Sequence, residues 1–109
     1  MPVRSRQLYE ARAKIAKALA HPVRLLLLDA LRDKDMCVME MTKLAGLDQS
    51  TVSKHLAILK EAGLVGVQKA GPMSVYSIRC QCLDGFFACL ESVLRQNLKE
   101  QQALVELES

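Results

Sequence analysis

The run LAGLDQSTVSKHLAILKEAGLV, residues 44–65, decides how this chain folds. Its first residues close a short helical pattern from Val38 to Ala45, with Met41, Leu44 and Ala45 on one face. Gly46 is a good C-terminal stop, because glycine takes the left-handed conformation that ends helices without steric cost. Asp48 then stands as an N-cap before a second pattern, in which Val52, Leu56 and Leu59 point inward until Gly63 ends it. Two helices joined across Gly46 to Asp48 make a helix-turn-helix.

The flanking residues complete a small domain. Upstream, Leu8, Ala11, Ile15, Ala18 and Leu19 predict a helix from about Gln7 to Leu19, and Pro22 disfavours helix in the residue before it. Pro22 suits the first turn of the next helix, which runs to about Arg32. Val23, Leu25 to Leu28 and Leu31 make that helix apolar nearly all round, as a buried central element should be. Downstream, Leu64 to Lys69 and Ser74 to Cys80 are rich in Val, Ile and Tyr and flank the turn residues Ala70-Gly71-Pro72-Met73, so a β-hairpin is expected. From Leu83 to about Leu107, apolar residues at Leu83, Phe87, Leu90, Leu94, Leu98 and Val105 recur at helical spacing. If Asp84 caps that helix, Gly85 begins it. A helix of ~24 residues reaches roughly 36 Å, so its apolar stripe outruns the chain's own core, and a second copy of the chain is the simplest partner.

Length and composition agree. The 109 residues suit one domain, 1–109, and an aromatic share of 4% without Trp leaves Leu, Val, Ala and Met to build the core, which favours packed helices. The expected fold class is mainly α with a β-hairpin wing, dimerised through its first and last helices. No apolar stretch is long enough for a membrane span or placed as a secretory leader, so a cytoplasmic location is expected. There the four Cys are kept as thiols. Thirteen Lys and Arg stand against seven Asp and Glu up to Cys82, and two against five from Leu83 onward. A basic body with an acidic tail points the body toward a polyanion. An enzyme is not expected, since there is no Gly-rich phosphate loop and no nucleophile-base pair can be inferred.

The segments KALAHPVRLLLLDAL (residues 17–31), LAGLDQSTVSKHLAILKEAGLV (44–65) and VYSI (75–78) together resemble the ArsR/SmtB metalloregulators. The His-Pro-x-Arg turn, the Gln-Ser-Thr-Val-Ser-x-His-Leu helix and the Glu-Ala-Gly-Leu-Val exit occur in order, and the resemblance covers roughly Ala16 to Cys80. It implies a dimeric winged helix-turn-helix repressor that sits on double-stranded operator DNA until a metal or metalloid ion releases it.

The residues carry the DNA reading without the family. The N-terminal part of the second helix of a helix-turn-helix enters the major groove, so Gln49, Ser50, Thr51, Ser53 and Lys54 face DNA. Gln pairs with adenine, Ser bonds base edges or phosphate, and Lys54 reaches guanine or phosphate. Ser50 and Thr51 also stand where they can cap the helix beside Asp48, but polar residues concentrate on the face the core does not need. His55, on the same helix, has a DNA-side or packing role by resemblance. Lys69 puts the wing near the flanking minor groove, although the usual second basic residue at the tip is missing.

The sensor must be sought among thiols. Some relatives bind zinc through an Asp and two His on the last helix, and no His follows Asp84 here. Cys80, Cys82 and Cys89 crowd the junction of wing and last helix, and thiolates select soft ions. Three sulfurs suit As(III) or Sb(III), whereas Zn(II) prefers four ligands. Seven helical residues would part Cys82 from Cys89 by about 10.5 Å along the axis. The three therefore meet only if Cys80 and Cys82 lie in an extended lead-in that folds over the first turns. The positive helix N-terminus would then help ionise them. Cys37 occupies the first position of a Cys-x-Cys box found in relatives, but the second is Met39, and an isolated Cys between helices is more often core than ligand. The alternatives are a redox or persulfide thiol switch on the same fold, a Cd or Zn sensor, and a thiol-rich metal-buffering protein.

Overall fold

The computed structural model describes residues 5–108. In chain order the elements are α1 (Arg6–Leu19), α2 (Pro22–Asp33), β1 (Met36–Cys37), α3 (Val38–Ala45), α4 (Gln49–Glu61), β2 (Val65–Ala70), β3 (Met73–Ile78) and α5 (Leu83–Glu108). The helices lie within a residue or two of their expected bounds. Ser5 adds an N-cap to α1, its side chain accepting from the Leu8 N–H.

Two sheet features differ from expectation. Met36 and Cys37 form a third strand, pairing antiparallel with Tyr76 and Val75, so the order is β1-β3-β2. Two residues are too few to show alternation, which hid this strand. The hairpin itself is shifted: Ala70 pairs with Met73 across a tight turn in which Gly71 has φ +64°, and β3 ends at Ile78. Cys80 has therefore already left the sheet.

The core follows the helical periods. Leu27, Leu28, Met41, Val52, Leu56 and Leu59 are fully buried, and Leu31, Leu64, Val65 and Leu83 close the cluster. Helix α2 is less enclosed than its composition suggests, for Leu26 is 42% exposed. Its run of four leucines covers more of the helix than the core does. Removing one side chain from the centre leaves a void that close-packed neighbours fill only partly. Leu56→Ala is accordingly expected to lower stability by about 2–5 kcal/mol in urea unfolding, and Leu26→Ala by far less.

Only the start of α5 is anchored. Leu83 is buried in the core, and Phe86 and Phe87 pack against it, with rings 5.8 Å apart in an edge-to-face arrangement. Beyond them Val93, Leu94, Leu98 and Leu104 are exposed. No helix among the described residues is long and apolar enough to cross a membrane.

Candidate nucleic-acid interface and thiol site

The turn between α3 and α4 is built by two residues. Gly46 takes φ +68° and its N–H donates to the Thr42 carbonyl at 3.0 Å, which terminates α3. Asp48 caps α4, accepting from the Thr51 N–H at 3.3 Å, the Ser50 hydroxyl at 2.5 Å and the Thr51 hydroxyl at 2.6 Å. The Ser50 hydroxyl first, then Thr51, stabilise the ionised carboxylate and hold its pKa at about 2 despite partial desolvation.

This network makes α4 acid-sensitive. A carboxylate with a depressed folded pKa stabilises above its unfolded value of about 3.9 and loses that contribution as pH falls. In thermal unfolding, the wild type is expected to lose part of its stability between that pH and about 2. Asp48→Asn, which keeps an acceptor for the cap but has no charge to lose, is expected to lack that step.

The expected DNA-facing residues divide by helix face. Gln49, Ser50, Ser53 and Lys54 are exposed, while Thr51 is half-buried with its hydroxyl turned to Asp48. Lys69 is exposed near the end of β2, next to the wing turn. His55 is different. It is half-buried, with its ring centroid 4.4 Å from that of His21, because position 55 rotates toward the Val52, Leu56 and Leu59 side of the helix. Of the two roles that the resemblance offers His55, the fold shows the packing one, against the start of α2.

The thiols are also arranged differently from expectation. Cys80 and Cys82 form a disulfide with Cα atoms 5.4 Å apart, while Cys37 and Cys89 are free, the first buried and the second exposed. Among the described residues no three His, Cys, Asp or Glu side chains stand together to hold one ion. The expected meeting of Cys80, Cys82 and Cys89 does not occur, and the reason is local. Helix α5 begins at Leu83, where its apolar pattern starts, and not after an Asp84 cap, because Leu83 is drawn into the core. Its N–H donates to the Cys80 carbonyl, and the Phe86 N–H to the Cys82 carbonyl, both at 3.3 Å. The lead-in is thus pinned to the first turn. Cys89 stays about 10 Å further along the axis. Cys37 caps α3 instead of serving a box: its N–H donates to the Glu40 carboxylate at 3.2 Å, which lowers the Glu40 pKa.

Sequence reading missed the support around the pair. The Arg32 guanidinium, on the last turn of α2, donates from Nε to Asp84 and from Nη1 to Asp29, both at 2.7 Å, and lies 4.7 Å over the Phe87 ring. Its contact with Asp84 spans 52 residues, too far apart in sequence to be paired from spacing. Arg32, Lys34, Asp35, Cys80 and Asp84 line one open polar cleft. The Cys80–Cys82 pair therefore sits where α2, the end of the wing and the start of α5 meet.

Comparison with known proteins places this geometry. The profile of the bacterial regulatory proteins of the arsR family matches residues 21–67, which span α2 through the first half of the wing. The HTH-type transcriptional regulator Rv0081 of Mycobacterium tuberculosis is 33% identical over 103 residues, covering 94% of this chain and 90% of that protein. The chain belongs to the ArsR/SmtB family. The crystal structure of Rv0081 superposes with a TM-score of 0.79 at 33% identity, over 89% of this chain and 98% of that one. The homodimeric winged helix-turn-helix DNA-binding domain Mb0332 of Mycobacterium bovis, solved by solution NMR, gives a TM-score of 0.76 at 29% identity, over 92% and 95%. Members of the ArsR/SmtB family are DNA-binding transcriptional regulators and not enzymes. The mainly helical winged fold expected from the sequence is the fold of this family.

Proposed function

We propose that this ArsR/SmtB member is a homodimeric, cytoplasmic operator-binding repressor whose DNA affinity is set by the chemical state of the Cys80–Cys82 pair. One observation carries the sensing half of this reading: the two sulfurs are bonded to each other at the junction that joins wing to dimer helix. Gln49, Ser50, Thr51, Ser53 and Lys54 enter the major groove, with Lys69 on the flanking backbone. The exposed Tyr9 and Ile15 of α1 and the outward leucines of α5 support pairing of two copies.

In the reduced repressor the two thiols are free. A hydroperoxide accepts two electrons from them, forming the S–S bond and leaving as an alcohol and water, the two thiol protons ending on oxygen. Bridging Cys80 to Cys82 reshapes the lead-in to α5. That change alters the orientation of the dimer helix and with it the spacing of two recognition helices, which must lie one DNA turn, ~34 Å, apart. A second reading has support from the same pair. Reduced Cys80 and Cys82 supply two thiolates for As(III) or Sb(III), a soft-donor set that suits these ions better than Cd or Zn. Cys89 and Cys37 are not part of this site.

The test is an electrophoretic mobility shift with a duplex from upstream of the chain's own gene. Reduced protein is expected to bind with an affinity that falls steeply with salt, since phosphate contacts dominate. Hydroperoxide or arsenite is expected to release it. Salt-insensitive or absent binding by reduced protein would contradict the repressor reading and favour a metal-buffering protein.

A further inference from the structure

His21 and His55 are the only histidines in the chain, and the fold brings them together with ring planes tilted by 46°. The His21 Nδ1 atom accepts the Val23 N–H at 3.1 Å, and this bond caps α2. An accepting Nδ1 holds a lone pair, so the neutral ring keeps its proton on Nε2. On the facing ring, Nδ1 of His55 is buried without a hydrogen-bond partner, and so is Nε of Arg24 in the first turn of α2.

The surroundings do not welcome another positive charge. The charges that act on His55 among the described residues are those of His21, the cap of α2, and Arg24 in its first turn. Lys14 and Lys17 of α1 line the adjoining groove with Arg24 and with Glu61 of α4, and the Glu61 carboxylate is taken up by Lys14 at 3.7 Å. A proton on Nδ1 of His21 abolishes the acceptor that caps α2. A proton on His55 packs a cation against Arg24. Either event acts on the contact that seats α4 against α2.

We propose that His21 and His55 form a proton-operated latch between the start of α2 and the recognition helix, closed while both rings are neutral and released by protonation, so that mild acid weakens operator discrimination. The inference rests on α4 being the DNA-reading helix, as proposed above. Burial first, then His21 and Arg24, hold the His55 pKa below the ordinary imidazole value. A base with a depressed folded pKa stabilises fully above its unfolded value of about 6.5, and that contribution is lost as pH falls toward and through the lower folded value. The latch therefore opens on the acid side. Extra positive charge also strengthens attraction to any phosphate backbone, so the informative quantity is the preference for operator over unrelated DNA.

Two measurements on the reduced full chain test it. In fluorescence anisotropy at fixed ionic strength, the ratio of affinities for the upstream duplex and an unrelated duplex is expected to fall at least ~5-fold from pH 7.5 to 5.5. In the double variant His21→Asn, His55→Gln that ratio is expected to stay constant, since Asn can still accept the Val23 N–H without titrating. A constant ratio in the wild type, or an equal fall in the double variant, overturns the latch. The second measurement uses no DNA: in NMR of the wild type, the Val23 amide resonance is expected to move as pH falls from 7.5 to 5.5, as loss of its Nδ1 acceptor requires. A Val23 amide unmoved over that range overturns the latch independently. If the upstream duplex is not preferred even at pH 7.5, the operator reading fails instead, and Val23 alone decides the latch.

Discussion

Replacing Leu94 and Leu98 together by Glu is expected to convert the homodimer to monomers and to weaken operator binding by more than ~100-fold, the scale of avidity lost when two linked contacts become one. The argument begins with exposure. The two side chains are 61% and 62% exposed in a single chain, so the core around Leu56 does not depend on them. Helix α5 has 26 residues and, at 1.5 Å per residue, extends about 39 Å, yet only its first turns touch the body. An apolar stripe of this length left in water is unfavourable, and burying it against a second α5 removes that cost. Carboxylates at positions 94 and 98 would face each other across such an interface and oppose it. Light scattering reads the mass and anisotropy reads the affinity, while an unchanged unfolding transition of the monomer shows that the fold survives. A variant that remains dimeric would mean that α5 does not pair the subunits.

The second large effect concerns the thiols. Cys80→Ser and Cys82→Ser are each expected to leave operator binding by the reduced protein intact while abolishing release by hydroperoxide or arsenite. The wild type should lose about 5–150-fold in affinity, the span of a coupling of ~1–3 kcal/mol between two sites. Cys89→Ser is expected to respond like the wild type, because Cys89 is exposed on α5 and outside the bonded pair. That contrast separates a two-sulfur sensor from the three-sulfur one that residue spacing suggests. Arg32 ties Asp84, in the first turn of α5, to Asp29 on α2. On the proposed reading, this is the route by which a change in the Cys80-Gln81-Cys82 backbone would reach the core.

Much of this fold is legible in the residues themselves. Gly46, Asp48 and the spacing of Val52, Leu56 and Leu59 define the helix-turn-helix, because a left-handed stop, a cap and a helical period are local properties. The wing is legible for the same reason, its turn residues and β-branched runs being contiguous. What was hidden is long-range or too short to show a period. Strand β1 has two residues, the Arg32–Asp84 ion pair joins distant helices, and the burial of Leu83, which starts α5 without an Asp84 cap, depends on the assembled core. That start decides the thiol site. A lead-in hydrogen-bonded to the first turn keeps Cys80 and Cys82 together and leaves Cys89 apart. His55 illustrates the same limit, for its place on α4 is local whereas its contact with His21 depends on how α2 and α4 pack.

The most direct test of the central claim is to measure operator affinity for wild-type protein in two forms, fully reduced and hydroperoxide-treated, with peptide mass mapping of the thiols in each. Tight binding by the reduced form, and release accompanied by a bond between Cys80 and Cys82, is the predicted result. Equal affinity of both forms, or release while Cys80 and Cys82 remain free thiols, would contradict the account.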